Sequence, residues 1–246
     1  ISDARIIRGP HEEGRFKQPD PVQIVAELCH LVNTSEKSRN FAVTLGANRA
    51  PIDTVRAIQN ASSGRTGWAI AEYLYRFGHT VIVVAGKTSA SPTFDLPKVI
   101  RTETPDEMLS ACINIAKSNL KPDGWVYSAA VLDYFSSPLS VKKPSGEDSW
   151  TIELLPGRKH IAELEQYVGD ARRVGFKLET DVDLKELENR ANQQLQRYGV
   201  DATIANLLEE INNPSSPRAY LVTSDGMRPL ESIVDVCEAI LSVLTN

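Results

Sequence analysis

The stretch FAVTLGANRAPIDTVRAIQNASSGRTGWAIAEYLYRFGHTVIVVAG (residues 41–86) decides the class of fold. Its first five residues, FAVTL (41–45), are mostly apolar and typical of a buried strand. Small residues follow, and the pattern then predicts a loop and an amphipathic helix within residues 62–78, ending at Gly78. The segment TVIVVAG (80–86) predicts a second strand because it is rich in β-branched residues. Strands alternating with helices favour a mostly parallel sheet covered by helices.

The same alternation continues on both sides of this stretch. Further helices are predicted at residues 20–32, 104–118, 184–199 and 229–244, and further strands at 125–131, 150–155, 174–178, 202–206 and 219–223. We therefore predict an α/β fold, with a Rossmann-like, mostly parallel sheet flanked by helices. Residues 1–38 are interpreted as an N-terminal helical extension or linker and residues 39–246 as a single α/β domain.

Two of the predicted helices begin with capping signals. Asp20 is expected to cap the first helix, with Gln23 in the capping-box position. Thr104 is expected to cap the helix that Pro105 opens, and Glu107 completes a capping box there.

The composition of the 246 residues argues against several classes of function. A net charge of −5 and a pI of about 5.5 argue against binding to nucleic acid through bulk positive charge. No apolar run approaches the roughly 20 residues of a membrane span, so we expect no membrane partner. Cys29, Cys112 and Cys237 are widely spaced, which argues against a zinc site or a disulfide framework and favours a reducing, cytoplasmic location. Since no signal peptide is recognised and the first residue is Ile1, we expect a cut or processed N-terminus.

Ligands of an open parallel sheet bind beyond the carboxyl ends of its strands, so three loops are candidate sites. The first contains SSGRTG (62–67), which leads directly into a helix. Small residues there let backbone N–H groups approach an anion at the positive end of the helix dipole, as in a phosphate-binding turn. Taken alone, the segment fits an ordinary Ser-capped helix start better. It is not a Walker motif. The later segment GKT (86–88) resembles the end of one, but Val81 stands where the first glycine of that motif should be.

The second candidate loop begins in SAAVLDY (128–134). Ala129 and Ala130 are small enough for close approach of a ligand, and Asp133 has a carboxylate that accepts hydrogen bonds from one. The alternative is that Asp133 caps a turn. The residues that follow are rich in Ser, Pro and Lys, and we predict a mobile loop near residues 134–149 that covers the site.

The third candidate loop is GFKLET (175–180). Phe176 could stack on a base and Lys177 could meet a phosphate, although Phe176 alone is more typical of a core residue. The four histidines lack metal-ligand spacing and no GxSxG elbow is present, so we predict neither metal ligands nor a protein nucleophile. Local reasoning therefore indicates a nucleotide- or phosphate-binding α/β domain.

Several motifs occur together in a family order. They are RAPID (49–53), VRAIQNASSGRTG (55–67), SAAVLDY (128–134), GFKLET (175–180), TIAN (203–206) and AYLVT (219–223). In this combination the chain resembles the phosphopantothenoylcysteine synthetase family, also called phosphopantothenate–cysteine ligase, over roughly residues 41–225. The resemblance implies a single nucleotide-binding α/β ligase domain over residues 39–246.

The resemblance also implies a reaction of coenzyme A biosynthesis. A nucleoside triphosphate, ATP or CTP with Mg²⁺, activates the carboxylate of 4′-phosphopantothenate as an acyl-nucleotidylate and releases pyrophosphate. The amine of cysteine then displaces the nucleoside monophosphate. Since the nucleotide supplies the leaving group, the protein acts by positioning and electrostatics.

Roles for individual residues follow from the resemblance. Asn60 matches a residue that holds the acyl group, and either Lys143 or Lys142 matches a loop lysine that covers the triphosphate. The implied substrate-binding residues are Arg56, Asn60, Ala129, Ala130 and Asp133. The implied nucleotide-binding residues are Gly46, Ser62, Ser63, Gly64, Gly67, Phe176, Lys177 and Asn206. Since Arg56 resembles an arginine that reaches the substrate phosphate of a neighbouring subunit, we expect a homodimer.

The chain departs from the family pattern at one phosphate-binding segment. Gly46-Ala47-Asn48 stands where the family usually has GGT, and Ala47 adds a methyl group there. This departure motivates an alternative, a catalytically degenerate nucleotide-binding relative that acts through partner interaction. FKLET and IANLL resemble the stand-alone, often ATP-using members, whereas residues 9–28 resemble the tail of a decarboxylase flavoprotein fused to CTP-using ligases. The choice between ATP and CTP therefore stays open.

Overall fold

A computed structural model describes residue 7 and residues 9–146 and 149–246 of the chain. Outside these ranges lie residues 1–6, residue 8 and residues 147–148. The expectation for Ile1 and part of the expected mobile loop therefore fall on residues that the structure does not describe. The helices of the described residues are α1 (Pro21–Asn33), α2 (Arg65–Arg76), α3 (Pro105–Ala116), α4 (His160–Glu163), α5 (Glu165–Val168), α6 (Leu184–Tyr198) and α7 (Ile233–Thr245). The strands are β1 (His11–Glu12), β2 (Arg15–Phe16), β3 (Asn40–Leu45), β4 (Arg49–Pro51), β5 (Ala57–Gln59), β6 (Thr80–Ala85), β7 (Val99–Arg101), β8 (Gly124–Tyr127), β9 (Tyr134–Phe135), β10 (Leu155–Pro156), β11 (Arg172–Glu179), β12 (Ala202–Leu207), β13 (Ala219–Thr223) and β14 (Gly226–Leu230).

Eight of these strands form one central sheet in the order β14-β13-β12-β11-β8-β3-β6-β7. The six strands from β12 to β7 are parallel, and β13 and β14 continue the sheet in antiparallel pairing. Helices pack on both faces of the sheet. The predicted Rossmann-like, mostly parallel α/β fold is therefore confirmed.

The chain order reverses at the middle of this sheet. From the central strand β3 the chain goes to β6 and β7 on one side, and it later adds β8, β11 and β12 on the other. Thr44 of β3 lies opposite Tyr127 of β8, so the loops that follow these two strands leave from neighbouring points in different directions. Such a switch point opens a crevice beyond the carboxyl ends of the strands.

Successive residues of β3 point to opposite faces of the sheet and enter different cores. Phe41 and Val43 belong to a buried cluster with Trp68 of α2 and residues of α7. Ala42 belongs to a second cluster with Met108 of α3. A third, smaller cluster joins α6 to β12 and β13. A strand buried on both faces explains why four of the five residues 41–45 are apolar and why the remaining one, Thr44, is buried as well.

The two capping predictions have different outcomes. Asp20 does cap α1, since its side chain accepts a hydrogen bond from an amide of the first turn at 2.7 Å. The expected capping-box role of Gln23 is wrong, because its side-chain oxygen accepts from the amide of Asp95 at 2.7 Å instead. Thr104 and Glu107 do form a capping box at the start of α3.

Helix α1 packs against α2 through polar contacts as well as apolar ones. The ring of His30 stacks on Tyr75 with 4.1 Å between centroids, and the Tyr75 hydroxyl donates to Glu27 at 2.9 Å. The boundary between residues 38 and 39 stays a prediction. No helix of the described residues has both the length and the apolar content to cross a membrane. The three cysteines are free thiols.

The predicted strand at residues 150–155 is wrong. Of that segment only Leu155 is in a strand, β10, which pairs with β9 away from the central sheet. Leu154 and Leu155 are each 44% exposed, so the apolar pattern of the segment does not reflect burial in this sheet. The apolar residues of this segment therefore predicted a strand, although no strand of the central sheet lies beside it to pair with.

Two element boundaries also differ from the predictions. The strand predicted at 125–131 ends at Tyr127, because the Ser128 hydroxyl donates to the carbonyl of Thr44 at 2.7 Å and the chain leaves the sheet. The closing helix does not begin at residue 229. Pro229 lies in the edge strand β14, and Ser232 caps α7 with a capping box three residues later.

Gly67 permits the close approach of α2 to β3. A Cβ at Gly67 would lie 2.3 Å from Cβ of Leu45 and 2.7 Å from Oγ of Ser128. Helix propensity favours Ala over Gly by about 1 kcal/mol. The steric clash acts against this gain in helix propensity, because Leu45 Cβ belongs to a central strand and can move only at a large cost in packing energy.

We predict that Gly67→Ala lowers the free energy of unfolding by about 2 kcal/mol, despite the gain in helix propensity. Urea denaturation checks this prediction. Gly14→Ala is a control in which the added Cβ meets nothing within 4 Å, and it should cost less even though Gly14 has a positive φ. A stabilised Gly67→Ala protein would show that the helix and strand separate freely here.

Candidate functional site

Backbone hydrogen bonds join the loops that follow β3, β6 and β8. The amide of Ala47 donates to the carbonyl of Lys87 at 2.9 Å, and the amide of Lys87 donates back at 2.8 Å. The amide of Ala130 donates to the carbonyl of Gly46 at 2.8 Å. Gly46 has φ +78°, and a Cβ there would lie 2.7 Å from the Lys87 carbonyl. This position therefore requires glycine both for its conformation and for space.

The SSGRTG segment forms the tight turn that begins α2. Gly64, with φ +77°, is the residue that caps the helix, and it offers no side chain to the first turn. The N-cap is therefore not a serine, although the Ser63 hydroxyl accepts a hydrogen bond from the amide of Arg65 at 3.3 Å. The methyl group of Thr88 lies 2.5 Å from a Cβ position on Gly64 and 2.7 Å from one on Gly46. Thr88, which the sequence analysis named only as the end of GKT (86–88), thus packs between the two glycines.

Asn60 connects the first loop to the second. Its side-chain nitrogen donates to the carbonyls of Ala130 and Val131, each at 3.2 Å. These partners lie 70 and 71 residues further along the chain. The contact brings Asn60 and Ala130 together, as the resemblance implies, and the SSGRTG turn begins two residues after Asn60.

A third connection runs from Asn206 to the start of α2 through Arg218. The Asn206 side chain donates to the carbonyl of Arg218 at 2.8 Å, and the Arg218 guanidinium donates to the hydroxyl of Thr66 at 2.8 Å. Burial and the nearby Arg65 both lower the pKa of Arg218. Among the described residues, neither arginine has an acidic side chain within 4 Å. Two uncompensated cations beside a helix N-terminus favour an anionic ligand.

The structure does not bring Lys177 to this turn by any described contact. Lys177 Nζ pairs with Glu179 at 2.9 Å, and Arg190 pairs with the other oxygen of the same carboxylate. Burial would raise the pKa of Glu179, but hydrogen bonds from Lys177 and Arg190 lower it. Phe176 is half-buried and packs against the core cluster of α2 and α7, which supports the core interpretation. Nucleotide contacts of Phe176 and Lys177 stay predictions.

Asp133 forms an ion pair with Lys159, a residue that sequence reasoning missed. The Asp133 carbonyl also accepts from the amide of Gly157 at 2.7 Å. These contacts tie the SAAVLDY loop to the segment before α4. Within the described ranges, no three His, Cys, Asp or Glu side chains cluster as a metal site would require.

Asp53 and Arg56 hold the segment that carries the candidate lysines. Arg56 pairs with Asp53 at 2.6 Å and donates to the carbonyl of Lys143 at 3.2 Å and 3.3 Å. The guanidinium also lies 5.3 Å from the ring centroid of Trp150. Lys142 is exposed and Lys143 is half-buried. Arg56 thus contacts its own chain here, and its reach to a neighbouring subunit stays a prediction.

His160 follows Lys159 directly and is buried. Its pKa is lowered to about 4 by burial and then by Arg158, although Asp106 acts in the opposite direction. A histidine in an unfolded chain takes up a proton as the pH falls below about 6.5. The folded protein resists this protonation down to about pH 4, so the unfolded state binds more protons in this range and stability falls.

We predict that His160 removes up to about 3 kcal/mol of unfolding free energy between pH 6.5 and pH 4. His160→Gln, which cannot take up a proton, should flatten that part of the pH dependence in chemical denaturation. His11→Gln changes an exposed histidine and is the matched control. An unchanged pH dependence in His160→Gln would contradict the prediction.

Comparison with known proteins places the chain in a family. The model of the DNA/pantothenate metabolism flavoprotein C-terminal domain matches residues 36–244. The Coenzyme A biosynthesis bifunctional protein CoaBC of Thermococcus kodakarensis is 36% identical over 200 residues, which cover 80% of this chain and 49% of that protein. The chain thus spans about half the length of the curated relatives it matches.

Two solved structures share the fold. The DNA/pantothenate metabolism flavoprotein from Streptococcus pneumoniae matches with a TM-score of 0.74 and 22% identity, over 83% of this chain and 97% of that chain. Cab2 in complex with phosphopantothenate-cysteine matches with a TM-score of 0.64 and 20% identity, over 90% of this chain and 93% of that chain. Since the family model covers most of its length, this chain belongs to the family of DNA/pantothenate metabolism flavoprotein C-terminal domains, and the family resemblance in its motifs is confirmed.

Proposed function

We propose that this protein is a phosphopantothenate–cysteine ligase of coenzyme A biosynthesis, acting in the cytoplasm. The observation that carries the proposal is the meeting of family motif residues at one crevice. Asn60 contacts the loop of Ala130, and Arg218 joins Asn206 to the SSGRTG turn. Relatives named for coenzyme A biosynthesis support it, as does the shared fold of Cab2, which was solved with phosphopantothenate-cysteine.

The proposed reaction has two steps. A nucleoside triphosphate activates the carboxylate of 4′-phosphopantothenate as an acyl-nucleotidylate, and pyrophosphate leaves. The amine of cysteine then attacks the acyl carbon, and the nucleoside monophosphate leaves. No protein nucleophile is required, which agrees with the buried thiols of Cys112 and Cys237. Burial raises the pKa of each to about 12, so neither is a reactive thiolate at neutral pH.

In this proposal the protein contributes binding and electrostatics. The N-terminus of α2, together with Arg65 and Arg218, meets the phosphates of the nucleotide. Asn60 holds the acyl group, and Lys142 or Lys143 covers the triphosphate. The phosphates are bound by Gly46, Ser62, Ser63, Gly64 and Gly67. The substrate pocket is formed by Arg56, Ala129, Ala130 and Asp133. The base of the nucleotide is bound by Phe176, Lys177 and Asn206. The nucleotide is ATP or CTP, and Mg²⁺ accompanies its phosphates.

The degenerate alternative gains no support from the departure at Ala47. This residue is fully buried, and both its amide and its carbonyl are bonded to Lys87. Its backbone is therefore already used within the protein and does not need to approach a phosphate. The methyl group of Ala47 is therefore compatible with the proposed reaction.

A homodimer is part of the proposal. Two pairs of strands, β4–β5 and β9–β10, form two-stranded arms outside the central sheet. Large apolar side chains are exposed on these arms and the loops next to them, among them Val55 at 60%, Tyr134 at 57% and Val141 at 67%. Leu155, on the strand β10 that pairs with β9, and the preceding Leu154 are also exposed. Exposed apolar groups around a site are typical of interfaces. A second copy seated here would bring Arg56 close to its neighbour's substrate.

We predict pyrophosphate release that depends on 4′-phosphopantothenate, in the presence of Mg²⁺ and cysteine, with either ATP or CTP. Asn60→Ala should lower the rate more than about 100-fold, because it removes a group aimed at the reacting centre. Coupled pyrophosphate detection and product analysis check both statements. Asn33→Ala is the matched control, since Asn33 also donates to a backbone carbonyl, that of Arg76 at 2.8 Å, but away from the site. No release with either nucleotide from folded wild type would contradict the ligase and favour the degenerate relative.

We predict a dimer at micromolar concentration, because dimerisation would bury the apolar arms. Light scattering coupled to gel filtration measures the mass. Val141→Asp should shift the mass toward monomer, whereas Val32→Asp, which changes an 82% exposed valine on α1, is the control and should not. Full activity at a monomer mass would contradict the role of Arg56 across subunits.

A further inference from the structure

The lysine-bearing loop between β9 and β10 is attached to the β4–β5 turn at successive points. The attachments are Ser136 Oγ to the carbonyl of Pro51 at 3.2 Å, Leu139 N to the carbonyl of Ile52 at 2.8 Å, and Lys143 N to Oδ2 of Asp53 at 3.1 Å. The two segments therefore run alongside each other for several residues. The last attachment differs from the others because its acceptor is a side chain.

The two carboxylate oxygens of Asp53 serve different segments. Oδ1 accepts from the amides of Val55 and Arg56, at 2.8 Å and 2.7 Å, and shapes the turn. Oδ2 accepts from the Arg56 guanidinium at 2.6 Å and from the amide of Lys143. The side chain of Asp53 is fully buried in this arrangement. One carboxylate therefore organises the turn with one oxygen and the loop with the other.

Both backbone polar groups of Lys143 are held. Its amide is held by Asp53, and its carbonyl accepts from both terminal nitrogens of Arg56. Arg56 in turn lies against Trp150 at the far end of the loop. The position of the loop backbone at Lys143 therefore depends on the Asp53–Arg56 pair.

We propose that Asp53 is a positioning residue for the ligation, which fixes the loop backbone at Lys143 and so sets where Lys142 and Lys143 meet the nucleotide. This inference rests on the proposed function. It also links Arg56, the residue proposed to bind a substrate phosphate, to the lysines proposed to cover the triphosphate. Asp53 acts through the loop and does not touch the reacting atoms.

Protonation does not disturb this contact in the range where the enzyme would work. Burial alone would raise the pKa of Asp53. Hydrogen bonds from the amides of Val55, Arg56 and Lys143, together with the charge of Arg56, instead lower it to about 2. The carboxylate is therefore ionised, with all its lone pairs available as acceptors, at neutral pH.

Asp53→Asn separates the two functions of the carboxylate. The amide oxygen can still accept from Val55 and Arg56, whereas the amide nitrogen faces the donors of Lys143 and Arg56 and cannot accept from them. We expect kcat/KM for the nucleotide to fall about 10- to 100-fold, as expected for loss of charge-assisted hydrogen bonds, with KM for cysteine unchanged. Asp53→Ser, whose hydroxyl is too short to reach Lys143, should act in the same direction.

A double-mutant cycle distinguishes positioning from a merely structural role. Lys142→Met and Lys143→Met are each measured in the wild-type and the Asp53→Asn backgrounds. For the lysine that covers the nucleotide, substitution should lower kcat/KM by a factor at least about fivefold smaller in the Asp53→Asn background than in the wild type, because that lysine is already misplaced. Equal fold-losses in both backgrounds, for both lysines, would overturn the proposal. If Asp53→Asn does not fold, the same cycle is measured with Asp53→Ser.

Asp201→Asn is the matched control. Asp201 likewise accepts from a backbone amide, that of Arg173 at 2.7 Å, and from an arginine side chain, but it lies beside the amino end of β12. It should lower stability without changing the effect of either lysine substitution. Coupling of Asp201 to the lysines would show that the readout reports stability alone, and it would overturn the proposal.

Failure of this inference is distinguishable from failure of the proposed function. Wild-type pyrophosphate release tests the function by itself. If the wild type does not ligate, the same cycle is measured on the affinity for ATP and CTP by calorimetry. Additive effects on nucleotide affinity would then overturn the role of Asp53.

Discussion

The candidate site depends on one short backbone bridge just beyond the central strands. Ala47 pairs with Lys87, and Gly46 pairs with Ala130, so three strand-end loops are bonded to one another at the switch point of the sheet. Because Gly46 and Ala47 are buried, breaking one of these main-chain bonds would leave an unpaired polar group at a cost of about 1–3 kcal/mol. The positive φ of Gly46 and the packing of Thr88 are the local conditions that the bridge requires.

The elements with a clear apolar pattern were predictable from the sequence, and those without one were not. Strands β3 and β6 and helix α2 have apolar patterns that match their burial, so sequence reasoning located them. Strand β14 was missed because its sequence, GMRPL, has no apolar alternation, whereas residues 150–155 are partly apolar but have no place in the central sheet. A local pattern records which residues are apolar, but it carries no information about which strand lies alongside.

The site followed the same division. Asn60 and the SSGRTG glycines were identifiable because they lie within contiguous family motifs. Arg218 reaches Thr66 across 152 residues, and Lys159 reaches Asp133 across 26, so neither had a local signal. Asp53 lay within a quoted motif, yet its contact with Lys143 spans 90 residues and became evident only in the folded chain. Charge arrangement of this kind is a property of the tertiary structure rather than of any single segment.

The outermost strand β14 has a consequence for how copies of this protein can associate. Its sequence, GMRPL, places an exposed Arg228 and an exposed Pro229 on the free edge strand. A proline has no N–H to donate, and a charge on an edge disfavours a second strand alongside. At the opposite edge, β7 is only three residues long. The sheet therefore cannot grow from copy to copy, and an assembling protein is directed away from fibre-like stacking toward closed pairs that meet through its loops and arms.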